Sequence, residues 1–388
     1  MSDDNSTDNN FTEVSSTGWF ARIGNAIAGV VVGIILVVIA FPLLWWNEGR
    51  SVHTYQGLAE GEKIALDASA DRIDSANNGK LIHVTGRAWG KDKVVDDAFG
   101  VSSPELIKLN RRVELYQWIE KKESQTRKKF GGGEETITEY TYKKDWDSEV
   151  HHSTEFHKRE GHSNPSPAYV TKTFSSHDAA LGAFHLPDFL ISAWNDYKPQ
   201  PLPAADQLPA LLHGKATVRG DWLYVAADAD TPHVGDARVK FESIPAGDAS
   251  VLAGQVNETF QPHATKAGTS IAQIASGVQS KEFMFAAAKA DNQTMTWVLR
   301  GAGFLLMFLG LVLVLNPLKV LADVIPFIGS LVGAGTATIA FLLSMTGSSL
   351  TISLAWVWYR PLVGVAMLAV AAVAIHFLRG AFRKKTAA

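Results

Sequence analysis

Acidic and basic side chains are missing from four long stretches of this chain, and that gap constrains its fold more than any motif does. No charge occurs between Arg22 and Glu48, between Arg300 and Lys319, between Asp323 and Arg360, or between Arg360 and Arg379. Residues 47–296 hold 28 of the 36 basic and 34 of the 39 acidic residues. The net charge of −3 and the 46% hydrophobic content therefore average over two materials, one soluble and one lipid-like. Those averages exclude a disordered chain and give no reason to expect a nucleic-acid partner. The absence of cysteine excludes disulfides, thiolate metal sites and a cysteine nucleophile.

A hydrocarbon core of about 30 Å needs about 20 apolar residues in a helix. Four segments meet that requirement and predict transmembrane helices over 23–46, 297–315, 324–345 and 354–378. The polar run Thr346-Gly347-Ser348-Ser349 is expected to separate the last two. The first segment reads as an uncleaved anchor. Its apolar run is long, its leader is acidic, and it ends in Leu43-Leu-Trp-Trp-Asn-Glu48 without a small-x-small cleavage site. Trp45 and Trp46 fit an interfacial belt. Residues 1–22 read as a disordered cytoplasmic tail and 379–388 as a basic cytoplasmic one. Lys319 and the tail residues Arg379, Arg383, Lys384 and Lys385 set the orientation by the positive-inside rule. It places both termini in the cytoplasm and residues 47–296 on the opposite side.

The fold class is thus a four-span α-helical transmembrane region plus a large β-rich α+β extramembrane domain over 47–296. Leu81–Trp89, Arg111–Glu120, Thr136–Val150, Ala216–Ala226, Arg238–Ile244 and Ser250–Phe260 read as strands from period-two polarity and β-branched content. Gly131-Gly132-Gly133 reads as a hairpin turn, and the neighbouring Lys121–Lys129, interrupted by Glu123, as a solvated hairpin rather than a nucleic-acid surface. Val278–Thr296 is helical in composition and is expected to run straight into the second span.

Candidate chemistry is sparse. His151, His152, His157 and His162 could ligate zinc or copper by residue type, but their spacing matches no metal motif, and an exposed loop accounts for them equally well. No GxSxG elbow, SxxK or phosphate-binding glycine loop occurs. Glu134-Glu135 and Asp96-Asp97 read as solvated turn residues. No catalytic, cofactor-binding or metal-ligating residue is therefore assigned, and no cofactor. Within the spans, Gly29-x-x-x-Gly33 and Gly329-x-x-x-Gly333 permit close helix approach, foremost within one chain. Arg360 is either an intramembrane functional charge or, with Trp356, Trp358 and Tyr359 beside it, an interfacial anchor; the anchor is favoured. Asp323 is expected at the other membrane face.

The chain resembles the LUMA, or transmembrane protein 43, family along nearly its whole length. The resemblance rests on Asn47-Glu48-Gly49-Arg50, Leu58-Ala-Glu-Gly61, Arg111-Arg-Val-Glu114, Tyr116-Gln-Trp118, Glu120, Trp146, Ser148 and Glu149. It continues through Gly161-His162, Asn164-Pro-Ser166, Gly235-Asp236, Arg238-Val239, Phe241, Thr265-Lys266, Gly268 and Tyr359-Arg-Pro-Leu362. It implies a multi-pass membrane protein with cytoplasmic termini, a large luminal domain, self-association and no enzymatic activity. Animal members are similar proteins of the endoplasmic reticulum and inner nuclear membrane that organise emerin and lamins. The lack of cysteine and the Ala, Gly and Trp content point to a bacterial member. For such a member the domain would be periplasmic, the sequons Asn257-Glu-Thr and Asn292-Gln-Thr inert, and emerin and lamins absent.

The expected function is a non-catalytic, oligomeric membrane organiser. Its partners would be the bilayer, copies of itself and an unidentified membrane or envelope protein. A pore or membrane-acting effector of a bacterial stress or defence system is a second reading, and an anchored periplasmic enzyme a third.

Overall fold

The computed structural model describes residues 9–204 and 207–362. The chain opens with β1 (Asn10–Thr17), α1 (Trp19–Ile64), β2 (Leu66–Ser69), β3 (Leu81–Gly90), β4 (Val95–Asp96) and β5 (Val101–Ser102). Next come β6 (Lys108–Lys128), β7 (Glu134–Asp147), β8 (Lys172–Ser175), β9 (Ala179–Leu181), β10 (Phe184–Leu186), α2 (Asp188–Ala193) and β11 (Lys198–Gln200). The order continues through β12 (Ala216–Arg219), β13 (Trp222–Val225), β14 (Ala237–Ile244), β15 (Gly247–Val256), β16 (Thr259–Gln261), β17 (His263–Ala264) and β18 (Ser270–Ser276). It finishes with α3 (Lys281–Ala322) and α4 (Pro326–Tyr359).

Two eight-stranded sheets carry the domain. One has the order β1-β7-β6-β14-β13-β12, with β8 on β6 and β11 on β14; the other runs β17-β18-β15-β16-β10-β9-β3-β2. In the second sheet β15 also pairs with β3, which closes five strands into a ring. Ile82, Val84, Leu181, Phe184, Val251 and Phe260 fill its apolar core together with Leu190 and Ile191 of α2. Alternate positions of the same strands, Leu81 and Leu252, turn the other way and bury Leu58 of α1 and Met284 and Phe285 of α3. Both faces of β3 and β15 are covered over residues 81–84 and 249–255, where every residue is buried.

α1 and α3 therefore do two jobs. Each carries a long apolar stretch, and each continues without a break into the core of the domain. Three helices, α1, α3 and α4, are long and apolar enough to cross a membrane among the described residues. Of the expected fourth span, 354–359 belongs to α4, which ends at Arg360. Residues 363–378 and the basic tail, with Arg379, Arg383, Lys384 and Lys385, lie outside the described residues.

The expected break at Thr346-Gly347-Ser348-Ser349 is not there: α4 runs straight through it. Ser348 donates to Met307 Sδ of α3 at 3.7 Å, and neighbouring hydroxyls bond back into α4. Ser344 donates to Ala340 O (2.6 Å), Thr346 to Leu342 O (2.8 Å) and Thr351 to Gly347 O (2.8 Å). Such back-bonding satisfies a polar side chain inside an apolar helix. Gly347 meanwhile lets Met307 of α3 pack closely.

The disordered-tail expectation also fails over residues 10–22. β1 pairs antiparallel with β7 from Asn10↔Thr141 to Thr17↔Glu134, so its backbone groups are taken up by a ladder, and α1 begins two residues later. Composition hid this, because the ladder comes from a partner more than 100 residues away in sequence. Residues 1–8 lie outside the described residues.

Candidate functional site

The reach of the β6–β7 hairpin is the least expected feature of the molecule. β6 has 21 residues, about 65 Å of extended chain. Its first eight residues pair with β14 in the domain; the rest project outward with β7. Gly131 and Gly132, at φ +88° and +81°, make the turn as their run implied. That turn reaches the far ends of the helices. Gly131 N donates to Val324 O at 3.1 Å, and the Trp19 ring lies where a Cβ on Gly132 would sit.

A buried charge cluster fastens the tip. Asp323, fully buried between α3 and α4, accepts from Arg22 at 2.5 Å and from Lys128 at 2.5 Å. Arg22 also meets Glu134 at 2.7 Å and donates to Gly132 O. Two cations and two anions balance, which a buried cluster needs. Gly329 leaves room for Asp323; a Cβ there would overlap its carboxylate. The Gly329-x-x-x-Gly333 pair thus accommodates the Asp323 and Lys319 side chains, whereas Gly33 of the other pair does meet a helix backbone, that of Gly310.

A second cluster sits at the opposite end of the apolar stretch. Arg22 and Glu48 are 26 residues apart on α1, which is about 39 Å of helix. Asn292, Thr296 and Arg300 recur every fourth residue on α3 and so share one face, opposite Asn47-Glu48-Gly49-Arg50 of α1. Glu48, fully buried, takes a two-pronged bond from Arg300 Nε (2.6 Å) and Nη2 (2.8 Å), and a third from Trp356 Nε1 of α4 (2.7 Å). The guanidinium of Arg300 lies over the Trp297 and Trp356 rings at 4.7 and 5.6 Å. Asn47 donates to Thr296 O at 3.0 Å, and Arg50 donates to Asn292 Oδ1 (2.9 Å), Thr296 Oγ1 (3.1 Å) and Asn47 Oδ1 (3.2 Å). Gly49 is the one position without a polar role. Tyr359 packs where its Cβ would be. Asn292, the sequon residue, is buried and donates to Ser51 O at 2.9 Å.

Arg360 caps α4, its N–H donating to Trp356 O at 2.7 Å and its guanidinium lying 5.8 Å from the Trp356 ring. That places it level with the Glu48 cluster rather than inside the apolar stretch. Its guanidinium meets an indole, and Asp323, at the other end of α4, pairs elsewhere.

The four histidines have separate employment. His151 Nε2 bonds Asp147 at 2.9 Å, His157 stacks on Tyr140 at 4.0 Å, and His152 precedes a short helical turn. His162 is buried, stacked on Tyr142 at 3.9 Å and within bonding distance of Lys158 O and Asn9 Oδ1. No three His, Asp or Glu residues are grouped to hold a metal ion among the described residues. Tyr142 donates to Glu120 at 2.5 Å, and burial, reinforced by that carboxylate, pushes its phenol up to about 12.

Other motif residues hold loops to strands. Asn164 copies a strand neighbour at Trp118, accepting from Trp118 N (2.8 Å) and donating to Trp118 O (2.9 Å). Arg238 bonds Glu114 at 2.5 and 2.8 Å between the Trp146 and Trp222 rings. Arg111 grips Asp96 at 2.8 and 2.9 Å. Asp96 was expected to be a solvated turn residue; it is buried because Arg111 neutralises it. The signal missed in the sequence was the four-residue period Asn292, Thr296, Arg300 leading into a span.

Apolar helices that run unbroken into a β-rich domain, with charge locked at both ends of the apolar stretch, define a multi-pass integral membrane protein. The chain belongs to the transmembrane protein 43 family, whose profile matches residues 115–361. It is 32% identical to rat transmembrane protein 43 over 376 residues, 93% of this chain and 92% of that one. The human protein of that name is 32% identical over 379 residues, 94% and 93% of the two chains. The fruit-fly homologue is 25% identical over 348 residues, 87% and 90%. No solved structure matches.

Proposed function

We propose that this protein is a non-catalytic membrane scaffold whose domain is held rigidly to its spans and presents a surface to other envelope proteins. One observation carries the reading: α1 and α3 pass from the apolar stretch into the domain core without a hinge, with Leu58, Met284 and Phe285 packed on the strands. A domain so attached cannot tumble independently of the bilayer. Its position and orientation are set by the spans, which suits a component that organises neighbours.

In this reading a fourth span follows Arg360 and returns the chain across the membrane. The Lys319–Pro326 turn, the tip of the β6–β7 hairpin and the C-terminal tail then face the cytoplasm, while the body of the domain, with the Asn10 end of β1 beside it, faces the periplasm, or the lumen in a eukaryote. The scaffold self-associates and binds an unidentified membrane or envelope protein. Affinity purification of the full chain from native membranes, with blue-native electrophoresis, tests this. Expected are oligomers carrying a reproducible partner; recovery as monomer alone would overturn the scaffold.

A further inference from the structure

We propose that the ribbon of β1, β7 and the outer half of β6 continues edge to edge into a second copy of this chain, the β6 edge of one copy pairing with the β1 edge of the next. The proposal rests on the self-association read above and names its surface.

The first observation is where the ribbon lies. Its base is in the domain, beyond Glu48 and Arg300; its tip is locked to Arg22 and Asp323 at the other end of the apolar stretch. The ribbon therefore runs the length of the spans. Its three strands share eight rows, from Asn10–Thr141–Lys121 to Thr17–Glu134–Lys128. Eight rows are about 26 Å, close to the hydrocarbon thickness of about 30 Å.

The second observation is that neither edge is covered. Among the described residues, Ile119–Lys128 pairs with β7 only, and β1 has β7 on one side and no strand on the other. An open sheet edge does not survive in lipid, because each unpaired N–H and C=O costs several kcal/mol there. The faces are no better suited. Lys128 and Glu134 turn toward the helix ends, and the alternate positions carry Glu123, Gln125, Arg127, Glu135, Glu139 and Thr12. Pairing edge to edge removes the open backbone. Repeated around a ring, it turns the second face to a water-filled centre and leaves the apolar helices toward lipid.

The third observation fixes the occupant. β1 and β6 both run antiparallel to β7, so they run parallel to each other. Copies related by rotation about the ribbon axis would place β6 parallel beside a neighbour's β1, head to tail, a contact that closes into a ring. Charge agrees. β1 bears Glu13 and no basic residue, whereas Lys121, Lys122, Arg127 and Lys128 outnumber Glu123 on the β6 edge.

Disulfide trapping in native membranes tests the pairing, helped by a chain with no cysteine of its own. Val14 and Gln125 flank Ile137 in one row, about 10 Å apart, which is too far for a bridge within one chain. Val14→Cys is combined in turn with Glu123→Cys, Gln125→Cys and Arg127→Cys, all on one face of the ribbon. One of these pairs is expected to give a ladder of dimer, trimer and larger bands under mild oxidant, ending at a fixed size, while each single variant stays monomeric. Oligomers on a blue-native gel with no ladder from any pair would overturn the edge pairing and leave self-association standing. Dimers from Val14→Cys alone would replace it by a two-fold contact. Monomers on both gels would overturn both readings.

Discussion

Glu48 shows what a single residue does here. Its carboxylate joins the three long helices, through its own place on α1, Arg300 of α3 and Trp356 of α4. Removing one partner of a buried pair costs about 3–5 kcal/mol, because the other charge is left uncompensated. Glu48→Gln should therefore lower the thermal midpoint in detergent sharply, read by circular dichroism. Arg300→Lys should fall nearly as far, since an ammonium cannot copy the two-pronged bond or the stacking on two indoles. Tyr142 gives a pH signature. Its phenol ionises at about 12 rather than the ordinary 10.0, so the folded state favours the protonated form. The stability this adds is complete below pH 10 and is lost as pH rises toward 12. Tyr142→Phe should remove the latest-titrating component of the tyrosine absorbance change and flatten that part of the stability profile.

Among the elements, α1 against α3 is the main helix contact, and Gly33 sets its closeness. A Cβ on Gly33 would lie 2.5 Å from Gly310 O, while on Gly29 the nearest atom is 3.8 Å away. Gly33→Leu should part the helices and lower the thermal midpoint by several degrees, whereas Gly29→Leu should be tolerated; the contrast between the two midpoints is the measurement. The glycine spacing was legible in the sequence, as were the apolar stretches, the hairpin glycines and β3, β14 and β15. The outer half of β6 was legible only as part of a solvated hairpin. The composition of Lys121–Lys128 did not show that this hairpin reaches Arg22 and Asp323, because its pairing with β7 and its ion pairs are made with distant residues. The end of the third span was misread for the opposite reason. Thr346-Gly347-Ser348-Ser349 looks like a loop until Thr346 is seen bonding back into its own helix and Ser348 meeting Met307 of α3.

Taken whole, the molecule is a domain and a helix bundle joined twice, once covalently through α1 and α3 and once through the ribbon tip. The second joint depends on four charges, of which Asp323 is central. Asp323→Asn should release the tip. Hydrogen exchange should then speed up over residues 10–17 and 121–141 and stay slow in β3 and β15, whose protection comes from the core of the ring. Equal acceleration everywhere would mean that Asp323 holds the entire fold rather than the ribbon.

The sequence by itself determined that this is a membrane protein with one large β-rich domain, because the cost of placing charge in lipid is paid residue by residue and is therefore written locally. It also carried the motifs of the family. Only the tertiary structure decided what those motifs do, since Glu48 meets Arg300 across 252 residues and Arg22 meets Asp323 across 301. It likewise decided that the N-terminal segment belongs to the domain's sheet. A strand's free energy depends on the neighbour that completes its hydrogen bonds, and nothing in β1 alone says where that neighbour is.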